Sequence, residues 1–240
     1  MNLENKKICA IHQPNFFPWL GYFDKIVRSD VFVLLDNVQL PKTGGGWVNR
    51  VQINVGGKPH WISAPLNRAY HGTRLISEIT FSDREPRWRE KVCKTISAQY
   101  AKSRYFKEIS EWLYPLIMND EGLLAEYNIM SIREICARLG ISESKLVRGS
   151  SLTTMGSATD LLVSTLQAVE ANAYLCGGGA AGYQEDEKFE AHGIELVYQG
   201  FSHPQYTQFK GSEFQAGLSI IDALMHVGVA GVRKILGLGE

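Results

Sequence analysis

The chain has 240 residues, 45% of them apolar and 21% charged, and its 25 basic residues balance 25 acidic ones. These are the values of an ordinary globular protein, and with no net charge there is no global field to favour nucleic acid or an anionic membrane. No apolar run approaches the ~20 residues of a membrane-spanning helix. The four scattered cysteines have neither metal nor disulfide-scaffold spacing, so a reduced, cytoplasmic setting is expected.

A buried first strand is predicted over 8–11, reached without a signal-peptide-like segment. It runs into His12-Gln13-Pro14-Asn15-Phe16-Phe17-Pro18-Trp19-Leu20-Gly21-Tyr22-Phe23-Asp24-Lys25. A helix is predicted over 18–28, with Pro18 near its first turn, where a missing N–H costs little. His12, Gln13 and Asn15 then sit where strand passes to helix, the usual ligand edge of an open α/β sheet. A second apolar strand over 31–35 ends at Asp36-Asn37, giving a right-handed βαβ unit with a parallel pair. Both strands end in polar residues, so their side chains converge on one edge.

Gly44 to Gly46 follow, with Lys42 on one flank and Asn49-Arg50 on the other. The loop reads either as a mobile connection or as a flap whose cations suit an anionic ligand. It is not a P-loop, because no Gly-Lys-Ser/Thr follows. A β-hairpin is expected over 51–64, turning at Gly56-Gly57-Lys58, with His60 as a packed strand residue. A further short strand is expected over 75–81.

From 86 to 139 the apolar residues recur at helical spacing, predicting three helices, the last capped by Gly140. They are read as a bundle or lid, 85–143, inserted between an N-terminal part of the core, 1–84, and a C-terminal part, 144–240. Its aromatics are assigned to the core, with Trp88 and Asn128 as possible substrate contacts. A return strand over 145–148 and a helix over 157–170, capped near Ser157, come next.

A strand over 172–175 then enters Cys176-Gly177-Gly178-Gly179, a cluster whose backbone N–H groups can approach an anion. Cys176 is a second candidate there, as a nucleophile, although no residue in the sequence marks its base. The strand over 194–198 leads to a polar-aromatic loop containing His203, Tyr206 and Gln208. A final helix begins at Ser219 and is expected to end at Gly228. Ser219 and Asp222 share one face of it, either as caps or as site residues. The whole is read as an α/β fold: a mostly parallel sheet with flanking helices, a β-hairpin excursion and an inserted helical subdomain.

Several of these blocks, in this order, resemble the WbqC-like family over almost the whole chain. They are Ile11-His12-Gln13-Pro14 with Pro18 to Ile26, Asp36-Asn37-Val38-Gln39, Trp47-Val48-Asn49-Arg50, Tyr174-Leu175-Cys176-Gly177, His203 to Gln208, and Ser219 to Leu224. The resemblance implies a role in bacterial O-antigen and surface-polysaccharide biosynthesis, as a glycine transferase acting on the amine of a nucleotide-linked amino sugar. The family often has serine where Cys176 stands, which argues against a thiol nucleophile.

On that reading His12 or His203 is the general base, and Lys25 and Asp36 complete the catalytic set. Lys25, Lys42 and Arg50 would hold a diphosphate or acyl phosphate, and the Gly177, Gly178 and Gly179 amides an oxyanion. Gln13, Gln39, Asn49 and Gln208 would bond sugar hydroxyls, and Trp19 and Tyr206 would stack on a ring. Asn15, Tyr22, Cys176, Ser219 and Asp222 complete the substrate-binding set. ATP or an acyl thioester is the expected donor, with other polysaccharide-biosynthesis enzymes as partners. No tightly bound metal is expected, since no ligand spacing such as His-x-x-x-His occurs. A nucleic-acid partner is disfavoured by the absence of a basic stripe. Two alternatives stand beside this reading: a non-catalytic nucleotide-sugar-binding partner, and an adenylyl- or nucleotidyl-transferase. The second rests on a weaker similarity of 14–25 and the Val31 strand to nucleotidyltransferase-like folds, without their His-x-Gly-His.

Overall fold

The computed structural model describes residues 6–40, 46–177, 184–209 and 213–239. In chain order it runs β1 (Ile8–His12), α1 (Leu20–Arg28), β2 (Val31–Leu34), β3 (Arg50–Val55) and β4 (Lys58–Ser63). Three helices follow, α2 (Trp88–Tyr100), α3 (Phe106–Met118) and α4 (Leu124–Arg138). The chain then continues through β5 (Leu146–Arg148), α5 (Ala158–Ala168), β6 (Ala173–Cys176), α6 (Asp186–Ala191), β7 (Glu195–Tyr198) and α7 (Ile220–Ile235).

Five strands form one sheet in the order β5-β2-β1-β6-β7, and every pairing in it is parallel. A parallel sheet is covered on both faces, which is why its strands read as unbroken apolar runs. Cys9 and Ile11 pack with Val33, Leu166 and Phe189 on one face. Ala10, Phe32, Leu34 and Leu175 join Phe23 and Ile26 of α1 on the other, in a core that continues into α2, α3, α4 and α7. The expected α/β architecture is therefore present, with β3 and β4 as a separate antiparallel hairpin.

The loop between β1 and α1 lies at the centre of these contacts. Phe16 N–H donates to the Trp47 carbonyl at 2.9 Å. Asn128 Nδ2 donates to the Pro14 and Val48 carbonyls at 2.8 and 2.7 Å. Ser219 Oγ donates to the Phe17 carbonyl at 2.7 Å. Phe17 itself holds a positive φ of 41°, unusual for a residue with a side chain, and its ring is fully buried. The surrounding bonds thus hold a strained turn in place.

Three expectations need correction, and one short helix was not foreseen. The segment 75–81 forms a 3-10 turn at Ile76–Glu78 flanked by single bridges, because its amides and carbonyls are shared among Asp36, Val38, Asn67, Gly122 and Leu124 rather than taken by one neighbouring strand. The short helix α6 was not foreseen; six residues with one buried apolar side chain, Phe189, leave little periodicity to detect. Gly228, at φ 69° and ψ 179°, is non-helical and ends the first part of α7 as expected, a second part continuing beyond it to Ile235; a Cβ there would lie 2.7 Å from the Tyr105 ring. His60 is exposed, as is every residue of β4 except Ile62. Trp88 is buried among Phe16, Phe81 and Tyr127, away from the sheet edge, and Asn128 is fully buried in the bonds just described, so Asn128 is not placed for substrate.

Candidate functional site

The strand order reverses between β1 and β6, and the hydrogen-bonded register shows the strands parting there. β1 pairs with β2 as far as His12 opposite Leu34, and β6 pairs with β7 as far as Cys176 opposite Tyr198. Between β1 and β6 the register covers only Ile8 with Ala173 and Cys9 with Tyr174. The carboxyl ends of the two central strands thus diverge, making the crevice in which open α/β sheets bind ligands. A cavity of about 580 Å³ occupies it, lined by His12, Tyr174 and Gly177 from the strand ends and by Trp19, Tyr22 and Lys25 from α1 and its cap. Gln199, Gly200 and Phe201, just after β7, form another side. Larger hollows of about 740 and 840 Å³ lie on the surfaces of α3–α4 and α2. They gather no residue from the sheet edge, and the crevice is the better site on chemistry.

His12 is partly exposed, with its ring edge-on to Tyr22 at 4.9 Å. Its Nδ1 lies 3.1 Å from the Gln13 carbonyl. A carbonyl only accepts, so Nδ1 carries the hydrogen and Nε2 presents its lone pair. Among the described residues no hydrogen bond engages Nε2. Burial, with a further contribution from the Lys25 charge, pushes the imidazole down to about 4, so it is neutral at neutral pH. Tyr22 donates to the same Gln13 carbonyl at 3.0 Å, and burial pushes its hydroxyl well above the usual range.

Lys25 is 4% exposed, and among the described residues it has no ion pair with a carboxylate. Its Nζ reaches the Ile11 carbonyl at 3.5 Å, on the stretch of β1 that β6 no longer covers. Burial pulls the amine down to about 8, with Cys176 and Cys9 acting the other way. A buried cation facing a cavity without a counter-ion favours an anionic ligand.

Trp19 caps α1 with no side-chain bond, and its indole lies flat enough on the first turn that any Cβ on Gly21 would strike it. Phe201 and His203 pack on Trp19 at 5.5 and 5.3 Å. His203 Nδ1 accepts from Gly217 N–H at 3.2 Å, which in the neutral ring leaves Nε2 carrying the hydrogen. Burial lowers its pKa. His203 is therefore arranged as a donor, the opposite of His12. Gln199 joins this wall to α1: its Nε2 donates to the Gly21 carbonyl and Asp24 Oδ2 at 2.7 and 2.8 Å.

The other sequence-selected residues lie elsewhere. Asp36 is fully buried and accepts from Ser150 N–H and Oγ, both at 2.8 Å, and from Arg148 at 3.1 Å; Arg148 also grips Glu126. It fastens β2 to β5. Asp222 accepts from Tyr100, Tyr206 and Gln208 at 2.8, 2.7 and 2.9 Å, and Gln208 also binds the backbone of Gln215 at both ends of its amide. Ser219 spends its hydroxyl on Phe17 and on capping α7.

Asn49 donates to the Ala64 carbonyl, Arg50 lies 4.3 Å over the Trp61 ring, and Gln39 is exposed beside the bridge to Leu75. Asn15 is buried in the β1–α1 loop, and Gln13 contributes its carbonyl as described. Cys176 is fully buried and donates weakly to the Val197 carbonyl; burial pushes its thiol up, away from a nucleophilic thiolate. Lys42, Gly178 and Gly179 lie outside the described residues. No group of three metal-binding side chains occurs among the described residues. Tyr174, Gln199 and Phe201 were missed as site residues. The rule that selected His12 and Asp36, a polar side chain just past a strand, finds Gln199 when applied to β7.

The WbqC-like protein family model matches residues 13–234. A Mycobacterium tuberculosis protein described only as uncharacterized, Rv1507c, is 28% identical over 225 residues, covering 93% of this chain and 94% of its own length. No solved structure matches the chain. Among the described residues no helix is long and apolar enough to cross a membrane.

Proposed function

The chain belongs to the WbqC-like protein family, and from its central crevice we propose a transferase of surface-polysaccharide (O-antigen) synthesis, which attaches an aminoacyl group such as glycine to the amine of a nucleotide-linked amino sugar. One observation carries the reading: a neutral histidine with an open lone pair and a buried lysine without a carboxylate face the same cavity.

The sugar amine attacks the carbonyl carbon of an activated aminoacyl donor, and the new C–N bond makes that nitrogen acidic. His12 Nε2 takes the proton as the tetrahedral centre forms. Lys25 balances the negative charge of a phosphate on donor or acceptor, or of the tetrahedral oxygen. Expulsion of the phosphate or thiolate completes the amide, and the proton on His12, disfavoured beside Lys25, passes to the leaving group. Trp19 and Phe201 supply apolar faces for a ring, and Gln199 and Tyr22 fix the cavity walls.

Mass spectrometry of nucleotide-linked amino sugars incubated with the protein, glycine and ATP, or with glycyl thioesters, tests this. Gain of a glycyl group is the expected result, and the productive donor separates the adenylate from the thioester route. Nucleotide-sugar binding without modification would replace the proposal with a non-catalytic partner. Pyrophosphate release from ATP with no acyl acceptor would favour an adenylyl-transferase.

A further inference from the structure

Gln199 lines the cavity directly after β7 and is 6% exposed. Its backbone is held on both sides: the N–H donates to the Cys176 carbonyl at 2.9 Å, and the carbonyl accepts from Arg28 at 2.6 Å. Its side-chain Nε2 spends both hydrogens, one on the Gly21 carbonyl and one on Asp24 Oδ2. Both partners can only accept, so the amide cannot turn over without setting its oxygen against two others. Arg28 meets the same Asp24 oxygen at 3.4 Å, which ties the three side chains together. Gln199 Oε1 takes no hydrogen bond among the described residues, and it is open rather than sealed in the interior. The fold fixes this amide with its acceptor end unspent.

Among the described residues that line the cavity, His12 Nε2 and Gln199 Oε1 are the two side-chain atoms that accept hydrogen bonds and cannot donate them. Lys25 and Trp19 can only donate, the Tyr22 and Tyr174 hydroxyls can do either, and no carboxylate belongs to this lining. Two acceptors beside a cation suit a neutral amine. Such a nitrogen has two hydrogens to give and keeps a lone pair for attack, whereas a hydroxyl has a single hydrogen. An ammonium has no lone pair, and it would face Lys25 with no carboxylate to oppose the repulsion.

Resting on the transfer reading above, we infer that Gln199 selects an amine over a hydroxyl as the group to be acylated, His12 Nε2 and Gln199 Oε1 each taking one of its two hydrogens. As the C–N bond forms, the hydrogen bonded to His12 departs as a proton and ends on the leaving group. The other stays on the nitrogen, becomes the amide N–H and keeps its bond to Gln199. A hydroxyl would give its one hydrogen to His12, and the ester it forms would leave Gln199 Oε1 without a partner in a largely buried position.

The test is equilibrium binding by calorimetry, with no acyl donor present. Uridine- and thymidine-diphosphate sugars carrying an amine at each ring position are titrated into the full chain, each beside its hydroxyl counterpart. At least one amine is expected to bind about 10–100-fold more tightly than the matching hydroxyl sugar. Gln199→Met should bring that pair to within about threefold, chiefly by weakening the amine. A purely structural role would weaken both sugars alike, so the ratio is the readout. With the unaltered protein, the N-methylated form of the same amine, left with one hydrogen, should bind about tenfold more weakly. Equal binding of amine and hydroxyl sugars, an N-methylated amine bound as tightly as its parent, or a preference that Gln199→Met leaves intact overturns the inference and leaves the transfer reading standing. Binding of neither member of any pair removes both.

Discussion

The crevice and the Asp222 cluster both gather polar side chains among aromatic rings and differ in what those side chains have left to offer. Around Asp222 three donors, from Tyr100, Tyr206 and Gln208, converge on one buried carboxylate, and the Gln208 amide is satisfied at both ends. In the crevice His12 keeps a lone pair and Lys25 keeps its charge. A polar group whose capacity is consumed inside the protein holds the fold; one whose capacity is unspent beside a cavity is available to a ligand. Mutations in the two places should therefore separate activity from stability.

The largest effect is expected from His12→Ala. Removing a positioned base lowers turnover by about 10²–10⁴-fold, while the denaturation midpoint stays close to the parent because only one hydrogen bond is lost. Equal turnover in the two proteins would show that Nε2 takes no proton in the reaction. Asp222→Ala should do the reverse. It leaves the two tyrosine hydroxyls and the Gln208 amide short of an acceptor in a buried setting, costing about 2–4 kcal/mol by urea denaturation. The activity that remains should track the folded fraction. A stable but inactive Asp222→Ala protein would erase the distinction and return Asp222 to the site.

Lys25→Met carries an opposite sign. The lysine's pKa is pulled down to about 8 by burial, so folding has to desolvate a cation below that pH. Replacement by an isosteric apolar chain should stabilise the protein by about 1–3 kcal/mol at pH 7 and weaken any phosphate-bearing ligand. The unfolded amine holds its proton up to its ordinary value, so wild-type stability rises as pH climbs from about 8 towards 10.5. The advantage of Lys25→Met should fade over that interval. In the free enzyme, kcat/KM should rise through the His12 value of about 4 and fall through the Lys25 value of about 8. A destabilised Lys25→Met protein would mean that the lysine is balanced by a charge and is structural.

Much of this was legible in the residues. Apolar runs ending in His12-Gln13 and Asp36-Asn37 gave parallel strands and one polar edge, and the helical spacing from 86 to 139 gave α2, α3 and α4. The spacing did not say which polar residues would be spent. Asp36 and His12 end neighbouring strands, yet Asp36 turns to Ser150 and Arg148, more than 100 positions away in sequence, and leaves the crevice. Likewise Tyr206 and Gln208 belong to a loop that resembles the opening one in composition, and only the fold shows Asp222 beneath them. Such partners are set by tertiary contacts, which local pattern does not carry.

Tyr206→Phe probes the point where the two regions meet. Tyr206 belongs to the stretch after β7 that also supplies Phe201 to the cavity and His203 to Trp19. Its hydroxyl is one of three donors to Asp222, and loss of one neutral-to-charged bond should cost about 1–2 kcal/mol. The ring still packs against Phe214, so the stretch stays attached but is held by Gln208 alone on that side. The consequence for activity should appear in KM, raised severalfold, with kcat nearly unchanged, because His12 and Lys25 sit on β1 and α1 and do not move with it. A fall in kcat equal to the rise in KM would place the Asp222 cluster within the reacting geometry. Unchanged KM with lower stability would confine its role to the fold.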